Sequence, residues 1–373
     1  MEKPPILWLN VLVVVILPIF TLLLVPLYGL VIGYNWVEWC VFAFFMVATG
    51  LSITAGYHRL WSHRTYEAHV LVRLFFAIFG ACGLQNSILA WSSDHRRHHK
   101  YVDDRDRDPY SIKRGFWFAH MGWILRDYQG DKIDFSNVKD LQRDPIVRWQ
   151  HRHYLLIALL SNSALLMAIG WMNGQLWGAF LLAGLLRIVL NHHFTFFINS
   201  LAHFMGKQPY SDKNTSKDNY IMAFLTYGEG YHNYHHSFQY DYRNGVRWYH
   251  FDPAKWVIGC LAWLGLAHSL RRPSKVQIEK ARVKMQFKRA MQKLESQGTA
   301  ESLQCKLEEA YQQFQDALEA WSKFKKEWVK HKKQALKANW ERTNLKIQYT
   351  ELKYELRLQR QKWRLLCAHA AHA

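Results

Sequence analysis

Nine of the 20 histidines in this 373-residue chain fall into four short groups with related spacings. His58 and His63 lie in HRLWSH, His95, His98 and His99 in HRRHH, His203 in NSLAH, and His232, His235 and His236 in HNYHH. Within each HxxHH triplet, the side chains at i, i+3 and i+4 share one face of a helix. Neutral imidazole is a good ligand for iron, zinc, copper and nickel. Nine such ligands are too many for one ion, so the pattern predicts two metal ions.

Two spacings constrain the helices that carry these groups. His58 and His63 are five residues apart, about 140° around an ideal helix, so they can face one ion only if the helix bends or ends between them. Asn199 precedes His203 by one turn, on the same helix face. The alternative is a set of unrelated structural histidines at an interface, which does not explain why each group follows an apolar segment.

Four apolar segments are long enough to cross a membrane, because a helix crosses the ~30 Å hydrocarbon layer in about 20 residues. They cover residues 6–32, 36–55, 155–171 and 176–197. Residues 70–90 are apolar but contain polar side chains, and they predict a helix that lies at the membrane surface or dips into it. A fifth span is the alternative, and it would place the histidine groups on opposite sides of the membrane.

The distribution of charge predicts the orientation. Loops 30–35 and 172–175 carry no charge, whereas segment 56–153 carries 16 lysines and arginines. Because cytoplasmic loops are enriched in lysine and arginine, we expect both short loops outside, and the histidine groups and both termini in the cytoplasm. Five widely spaced cysteines without a CxxC pair fit a reducing compartment and argue against a disulfide framework and a thiolate zinc site.

The last hundred residues differ from the rest. Residues 271–373 hold 24 lysines and arginines against 11 acidic residues, and residues 1–270 hold 24 against 18, so most of the net charge of +19 lies in the tail. Apolar side chains at Leu307, Tyr311, Phe314, Leu318 and Trp321 follow helical spacing. The tail is therefore predicted to be a cytoplasmic helical hairpin or coiled coil that is solvated, self-associates or rests on anionic lipid. No nucleic-acid partner is expected.

These observations predict an all-α integral membrane protein with two domains. Residues 1–270 would form a bundle of four transmembrane helices with a cytoplasmic histidine-rich cap that holds a dimetal site. Residues 271–373 would form a basic helical tail.

The motifs HRLWSH, HRRHH, NSLAH and GEGYHNYHHSFQYDY resemble those of the membrane fatty acyl desaturases, specifically the stearoyl-type Δ9 group. The resemblance covers residues 5–270 and excludes the tail. It implies two irons per chain. One iron would be bound by His58, His63, His95, His99 and His235, and the other by His98, His203, His232 and His236, with Asn199 reaching the second iron through water. Zinc in purified protein would then indicate mis-metallation.

The same resemblance implies a substrate tunnel. Gln85, Trp91 and Thr195 match its bend, Met46 and Gly50 match its closed end, and Asn86 and Asp94 match positions that contact the acyl carrier. Ser93, Asp127, Tyr128 and Phe196 depart from the family pattern where relatives bind the coenzyme A headgroup. The carrier therefore stays open between acyl-CoA, an acyl-lipid and acyl carrier protein.

The implied reaction is O2-dependent desaturation of a saturated acyl chain to a cis double bond. The protein would supply no catalytic side chain beyond the metal ligands. The chain contains no HPGG haem motif and no cysteine set for an iron–sulfur cluster, so a separate donor is expected, either a ferredoxin or a b-type cytochrome with its reductase. A related acyl hydroxylase is the alternative, followed by a non-catalytic metal-binding or transport protein supported by His192 and His193.

Overall fold

The computed structural model describes residues 4–128, 134–297, 301–333 and 339–372. These residues form two compact units. The first comprises Met1–Lys207 and Lys213–Arg272, and the second comprises Gln208–Asp212 and Pro273–Ala373. Each unit has its own apolar core.

Four helices of the first unit are long and apolar enough to cross a membrane, as predicted: α1 (Trp8–Val31), α2 (Trp36–Ser62), α7 (Pro145–Met172) and α8 (Leu176–Phe204). Three of them extend beyond the predicted spans, α2 and α8 at their C-terminal ends and α7 at its N-terminal end. The extensions of α2 and α8 carry His58 and His203. They are polar, so a search for continuous hydrophobicity does not include them.

Between the two pairs of spans lie four shorter helices, α3 (Val70–Ala81), α4 (Ile88–Tyr101), α5 (Phe116–His120) and α6 (Lys139–Gln142). After the last span come α9 (Tyr220–Leu225), α10 (His232–Ser237) and α11 (Pro253–Trp263). Single 3-10 turns form at Ile112–Arg114, Gly122–Ile124 and Ser136–Val138. A two-residue antiparallel ladder pairs β1 (Glu67–Ala68) with β2 (Ala267–His268).

Local sequence explains how α2 begins. The Asn35 side chain accepts hydrogen bonds from the backbone N–H groups of Val37 and Glu38, at 3.0 and 3.2 Å. The Glu38 carboxylate accepts from the N–H of Asn35 at 2.8 Å, which completes a capping box. Glu38, the acidic residue within the apolar segment, is therefore placed at the helix end rather than in the middle of the span.

The single helix predicted over 70–90 is wrong, because α3 ends at Ala81 and α4 begins only at Ile88. Leu84 and Asn86 adopt left-handed backbone conformations, with φ of 49° and 76°. Such values are uncommon outside glycine and asparagine and interrupt a right-handed helix. With 12 residues, α3 is too short to cross a membrane.

The C-terminal end of α3 reaches into the bundle of spans. The carbonyl of Cys82 accepts hydrogen bonds from Arg187 of α8 at 2.6 Å and from Asn162 of α7 at 3.1 Å. A buried arginine in a span requires such partners. Here the partner is the end of a helix, whose carbonyls have no partner within the helix. Helix α3 therefore dips into the bundle.

The described residues of the second unit form three helices, α12 (Lys275–Ser296), α13 (Glu301–Lys333) and α14 (Asn339–His372), where a helical hairpin or coiled coil was predicted. Leu307, Phe314 and Leu318 of the predicted apolar face are buried, and Tyr311 and Trp321 pack against them. Gly298, the one glycine in this part of the sequence, lies outside the described residues.

Candidate metal centre

The nine histidines converge from four helices. His58 comes from the end of α2, with His63 directly after it, and α4 provides His95, His98 and His99. His203 lies in the last turn of α8, and α10 provides His232, His235 and His236. The structure gathers these side chains into two groups. His58, His63, His95, His99 and His235 form the first, and His98, His203, His232 and His236 form the second.

The backbone of α2 solves the spacing problem of His58 and His63. Residues Ser52–Ser62 form a π-helix, in which each N–H bonds to the carbonyl five residues earlier. The N–H of His63 donates to the carbonyl of His58 at 3.0 Å. Residues five apart then lie on nearly the same face. The sequence predicted a bend or a helix end between His58 and His63. The structure shows a wider π-helix instead, which brings both rings to one point.

Within each group the Nε2 atoms face one another at short range. In the first group the separations are 3.0 Å for His58 and His235, 2.8 Å for His63 and His95, and 2.9 Å for His235 and His99. In the second group they are 3.0 Å for His203 and His232, 3.1 Å for His232 and His236, and 3.3 Å for His98 and His236. Ligand nitrogens about 2.1 Å from a shared ion and at right angles to each other are separated by about 3.0 Å, so the spacing fits metal binding.

The nitrogens that face away from the centre of each group, the Nδ1 atoms, indicate which nitrogen of the ring would bind a metal. Nδ1 of His58 lies 2.8 Å from a carboxylate oxygen of Glu229, and Nδ1 of His98 lies 2.9 Å from one of Asp108. A carboxylate holds the ring proton on Nδ1, which leaves a lone pair on Nε2. In each group, at least one lone pair is therefore directed into the space between the rings, where a cation would stabilise it.

Burial keeps these rings in the form that binds metal. Desolvation, followed by repulsion from neighbouring rings, lowers the pKa well below the ordinary value for His63, His95, His99, His232, His235 and His236. Metal ligands must be unprotonated. Burial therefore favours the neutral form of these six imidazoles, and neutral imidazole suits iron, zinc or copper.

A buried ionic network supports the first group. Arg59 donates to Glu229 at 2.9 Å and lies 2.9 Å from an oxygen of Asp252. Asn244 donates to the other oxygen of Glu229 at 2.6 Å. Glu229 is therefore fixed while it orients His58. Sequence analysis missed this role, although Glu229 stands inside the GEGYHNYHH motif.

A cavity of about 2290 Å³ reaches the metal centre through the bundle. Its lining includes His58 and His95 of the first group and His98 and His232 of the second. Six of the predicted substrate positions and the predicted water-bridged ligand also line it: Gly50, Gln85, Asn86, Trp91, Asp94, Thr195 and Asn199.

The break between α3 and α4 shapes this cavity. Between the left-handed residues Leu84 and Asn86, Gln85 donates from Nε2 to Oγ1 of Thr195 on α8, at 2.9 Å. Trp91 stacks on His95 with a centroid separation of 4.9 Å. The wall of the cavity and the first histidine group are therefore in direct contact.

Among the described residues that line the cavity, Met46 is the one predicted substrate residue that is missing. The reason is Tyr227, whose hydroxyl donates to the Met46 carbonyl at 2.9 Å. The Tyr227 ring also covers Gly50, where an added Cβ would lie 2.2 Å from ring atom Cε2. Tyr227 lines the cavity in a left-handed conformation, with φ of 54°. No sequence pattern indicated it.

The histidines inside α8 have other partners. Nε2 of His192 lies 2.8 Å from the carbonyl of Gly83, and Nδ1 of His193 lies 3.1 Å from Nε2 of His120. Within the described part of the chain, neither belongs to a group of three or more potential ligands. These bonds give both residues a structural role and remove the sequence feature that favoured metal transport.

Comparison with known proteins agrees with the geometry. The family model described as "Fatty acid desaturase" matches residues 34–259. The chain is 43% identical over 251 residues to "Acyl-CoA desaturase 1" of Saccharomyces cerevisiae, an alignment that covers 67% of this chain and 49% of that protein. It is 43% identical over 274 residues to "Probable acyl-CoA desaturase" of Schizosaccharomyces pombe, which covers 72% of this chain and 57% of that protein.

An animal relative is matched over more of its own length. "Stearoyl-CoA desaturase 5" of Homo sapiens is 39% identical over 249 residues, which covers 65% of this chain and 74% of the human protein. The chain thus spans only about half the length of the two fungal relatives but most of the animal one. On the extent of these matches, the chain belongs to the fatty acid desaturase family.

Proposed function

We propose that this protein is a Δ9-type fatty acyl desaturase that introduces a cis double bond at a pair of irons. One observation carries the proposal: a single cavity is lined by histidines of both groups and runs between the membrane spans. A saturated acyl chain in this cavity would pass both metal positions. The names of the relatives, acyl-CoA and stearoyl-CoA desaturases, support the same reaction.

The overall reaction balances with an external donor. The acyl chain loses two hydrogen atoms, and O2 is reduced to two water molecules with two electrons and two protons from outside. An iron pair held by the two histidine groups would supply the oxidant that no side chain provides. Asn199 would reach the second iron through water. Zinc binds imidazole as well, so zinc in overexpressed protein would not argue against iron.

The remaining residues of the cavity would position the acyl chain. The hydrogen bond from Gln85 to Thr195 ties the loop after α3 to α8 and would hold the bend of the chain. Trp91 lies between this bend and the metals, where it would press the reacting methylenes against the first group. Fixing one pair of carbons beside the metals is what selects the position of the double bond.

The mouth of the cavity favours a carrier with several negative charges. Nine lysines and arginines line the cavity against six acidic residues, and they include Lys100, Arg105, Arg107, Lys113, Arg114 and Arg126. Ser93, one of the positions that depart from the family pattern, is buried and donates to Asn137. Acyl-CoA, whose headgroup carries phosphates, is the substrate we propose, and Asn86 and Asp94 would contact it. Acyl-lipids and acyl carrier protein are the alternatives.

The proposed orientation places the histidines, both termini and the tail in the cytoplasm. Single cysteines introduced at positions 32 and 174 should react with a membrane-impermeant thiol reagent from outside. Cysteines at 240 and 350 should react only after permeabilisation, whereas position 110 is buried and is not a useful labelling site. Labelling of positions 60 and 97 from opposite sides would contradict a shared metal centre.

The tail, residues 271–373, lies outside the family match. We propose that it serves self-association or attachment rather than chemistry. Helix α14 has an exposed apolar stripe on the face opposite its buried side chains, formed by Ile347, Tyr354, Leu358 and Leu365. Tyr354→Cys should form disulfide-linked dimers on oxidation if this stripe pairs with a second copy, and Lys353→Cys, which is exposed beside it, is the control.

Expression in a host that lacks its own acyl desaturase tests the function. The full chain should restore growth without added unsaturated fatty acid and should give Δ9 cis-monounsaturated products. The same chain with His98→Ala should not. Hydroxylated acyl chains as the main product would favour the alternative reaction, and an unchanged fatty-acid profile with folded protein in the membrane would contradict both.

A further inference from the structure

Two histidines of the second group are supported in different ways at Nδ1. For His98, a carboxylate oxygen of Asp108 lies 2.9 Å from this nitrogen. For His203, the neighbour is a hydroxyl, Oγ1 of Thr215, at 2.8 Å. A hydroxyl can donate one hydrogen bond and can also accept. The hydroxyl alone therefore does not determine which nitrogen of the His203 ring carries the proton.

The carboxylate of Asp103 sets the direction of this hydrogen bond. Its Oδ1 accepts from Oγ1 of Thr215 at 2.6 Å, and its Oδ2 accepts from the backbone N–H of Thr215 at 2.7 Å. Because an ionised carboxylate can only accept, the single hydroxyl proton of Thr215 is directed to Asp103. The hydroxyl oxygen then accepts from Nδ1–H of His203, which leaves a lone pair on Nε2. That nitrogen faces Nε2 of His232, 3.0 Å away.

Asp103 is held in place by the same carboxylate that supports His98. It lies two residues after the end of α4 and has a left-handed backbone, with φ of 67°, which aspartate adopts more readily than most residues. Its N–H donates to Oδ2 of Asp108 at 3.0 Å, while Oδ1 of Asp108 faces His98. One short loop, residues 103–108, therefore supports two of the four histidines of the second group.

The segment that carries Thr215 is attached to two of the helices that provide ligands. The N–H of Lys217 donates to the carbonyl of Ala202 on α8, at 2.7 Å. The side chain of Asn233 on α10 donates to the carbonyl of Ser216, at 3.0 Å. These bonds do not involve the hydroxyl of Thr215. Its removal should therefore change the hydrogen bonds of His203 while the segment stays in place.

We propose that Asp103 and Thr215 are positioning residues of the second metal ion. Neither residue would contact the ion. Together they hold the ring proton of His203 on Nδ1, so that Nε2 is free to bind the metal. The inference rests on the proposed function only in requiring a metal ion at the second group, and it does not depend on the reaction.

Replacement of Asp103 by asparagine should reverse these hydrogen bonds. The amide has one oxygen for two donors, the hydroxyl and the N–H of Thr215. Because the N–H can only donate, the amide oxygen must face it, and the amide NH2 then faces the hydroxyl oxygen. The hydroxyl would donate to Nδ1 of His203, and the ring proton would move to Nε2, where it blocks the metal. Asp103→Asn keeps the shape of the side chain but should weaken metal binding at the second group by about 10- to 100-fold.

The test measures metal retention by the full-length protein. Wild type and variants in lipid nanodiscs are dialysed against a graded series of chelator concentrations, and the metal ions per chain are counted by elemental mass spectrometry. Asp103→Asn and Thr215→Val should each release one ion at about 10- to 100-fold lower chelator concentration than wild type and should keep the other. Thr215→Ser retains the hydroxyl and should behave as wild type. Asp106→Asn, an exposed carboxylate of the same loop, is the matched control and should also behave as wild type.

A second variant background assigns the ion that is lost. His98→Ala should keep only the ion of the first group, so Thr215→Val in that background should cause no further loss. A further loss there would overturn the proposal, because Thr215 would then act on the first group as well.

The proposal would also be overturned if folded Asp103→Asn and Thr215→Val retained both ions as wild type does. Release of one ion from Thr215→Ser as readily as from Thr215→Val would contradict it too, since the hydroxyl would then be irrelevant. Failure of the proposed reaction looks different. In that case the ions would respond as predicted here, but the wild-type protein would form no unsaturated product with a chemical reductant.

Discussion

The metal centre and the inner end of the large cavity belong to the same bundle but are specified in different ways. Each histidine triplet lies on one helix, so its spacing alone predicts that the three side chains lie close together. The wall of the cavity at Gly50, which we propose as its closed end, depends on a contact with Tyr227, and these two residues are far apart in the sequence. The comparison teaches that local motifs can identify the candidate metal ligands, whereas the shape of the cavity at its proposed closed end is set by long-range packing.

Loss of a ligand should have the largest effect. His236→Ala removes one of four nitrogens from the second group and should lower desaturation by more than about 100-fold, since even the loss of an outer partner of a ligand costs 10- to 100-fold. His268→Ala is the control, because His268 is an exposed partner of Glu67 away from both groups. The measurement is the amount of desaturated product that each variant forms at equal amounts of folded protein. Full activity of His236→Ala would remove this residue from the ligand set.

The carboxylates behind the ligands should have the next largest effect, and they should act on separate ions. Glu229→Gln should weaken metal binding by about 10- to 100-fold at the first group, because His58 loses its charged partner. Asp108→Asn should do the same at the second group through His98. Metal content after dialysis against a graded chelator measures both. Equal loss from both groups in either variant would contradict separate support of the two sites.

The inner end of the cavity should respond with a change in selectivity rather than a loss of activity. Tyr227→Ala removes the ring that covers Gly50 and should shift the product ratio toward longer acyl chains. Tyr227→Phe keeps the ring and should preserve the ratio. Competition between acyl chains of different length, analysed by gas chromatography, provides the measurement. An unchanged ratio in folded, metal-loaded Tyr227→Ala would show that the cavity ends elsewhere.

The contact with Tyr227 also determines what a substitution at Gly50 would do. Any side chain there collides with Tyr227, so Gly50→Leu alone should destabilise the protein by overpacking. In the Tyr227→Ala background the leucine has space and should return the preference toward shorter chains. Met46→Ala should leave the ratio unchanged. A larger effect of Met46→Ala than of Tyr227→Ala would restore Met46 as the end of the tunnel.

Removal of the tail should have the smallest effect on chemistry. A chain that ends at Pro273 keeps all nine histidines and every described residue of the cavity wall. It should retain metal and turnover within about twofold with a chemical reductant, because the second unit has its own core. Loss of turnover in well-folded, metal-loaded truncated protein would give the tail a role in catalysis.

The sequence was sufficient for the four spans, the nine histidines and their division between two groups. Long apolar runs and i, i+3, i+4 spacing are local signals, and the resemblance added the assignment of each histidine. The π-helix at Ser52–Ser62 and the left-handed turn around Gln85 could not be predicted, because tertiary packing overrides the usual preference for an α-helix there. No sequence pattern distinguished Glu229 and Asp108 from other acidic residues. Only the fold places their carboxylates beside Nδ1 of His58 and His98.

The number of metal ions per chain tests the central claim most directly. Protein purified from iron-supplemented cells should contain two metal ions per chain by elemental mass spectrometry, and His98→Ala, at matched folding and purity, should retain close to one. This result is expected because His98 belongs only to the second group, while all five histidines of the first group remain in place. A single metal per wild-type chain, or complete loss of metal from His98→Ala, would contradict two separate histidine-bound ions.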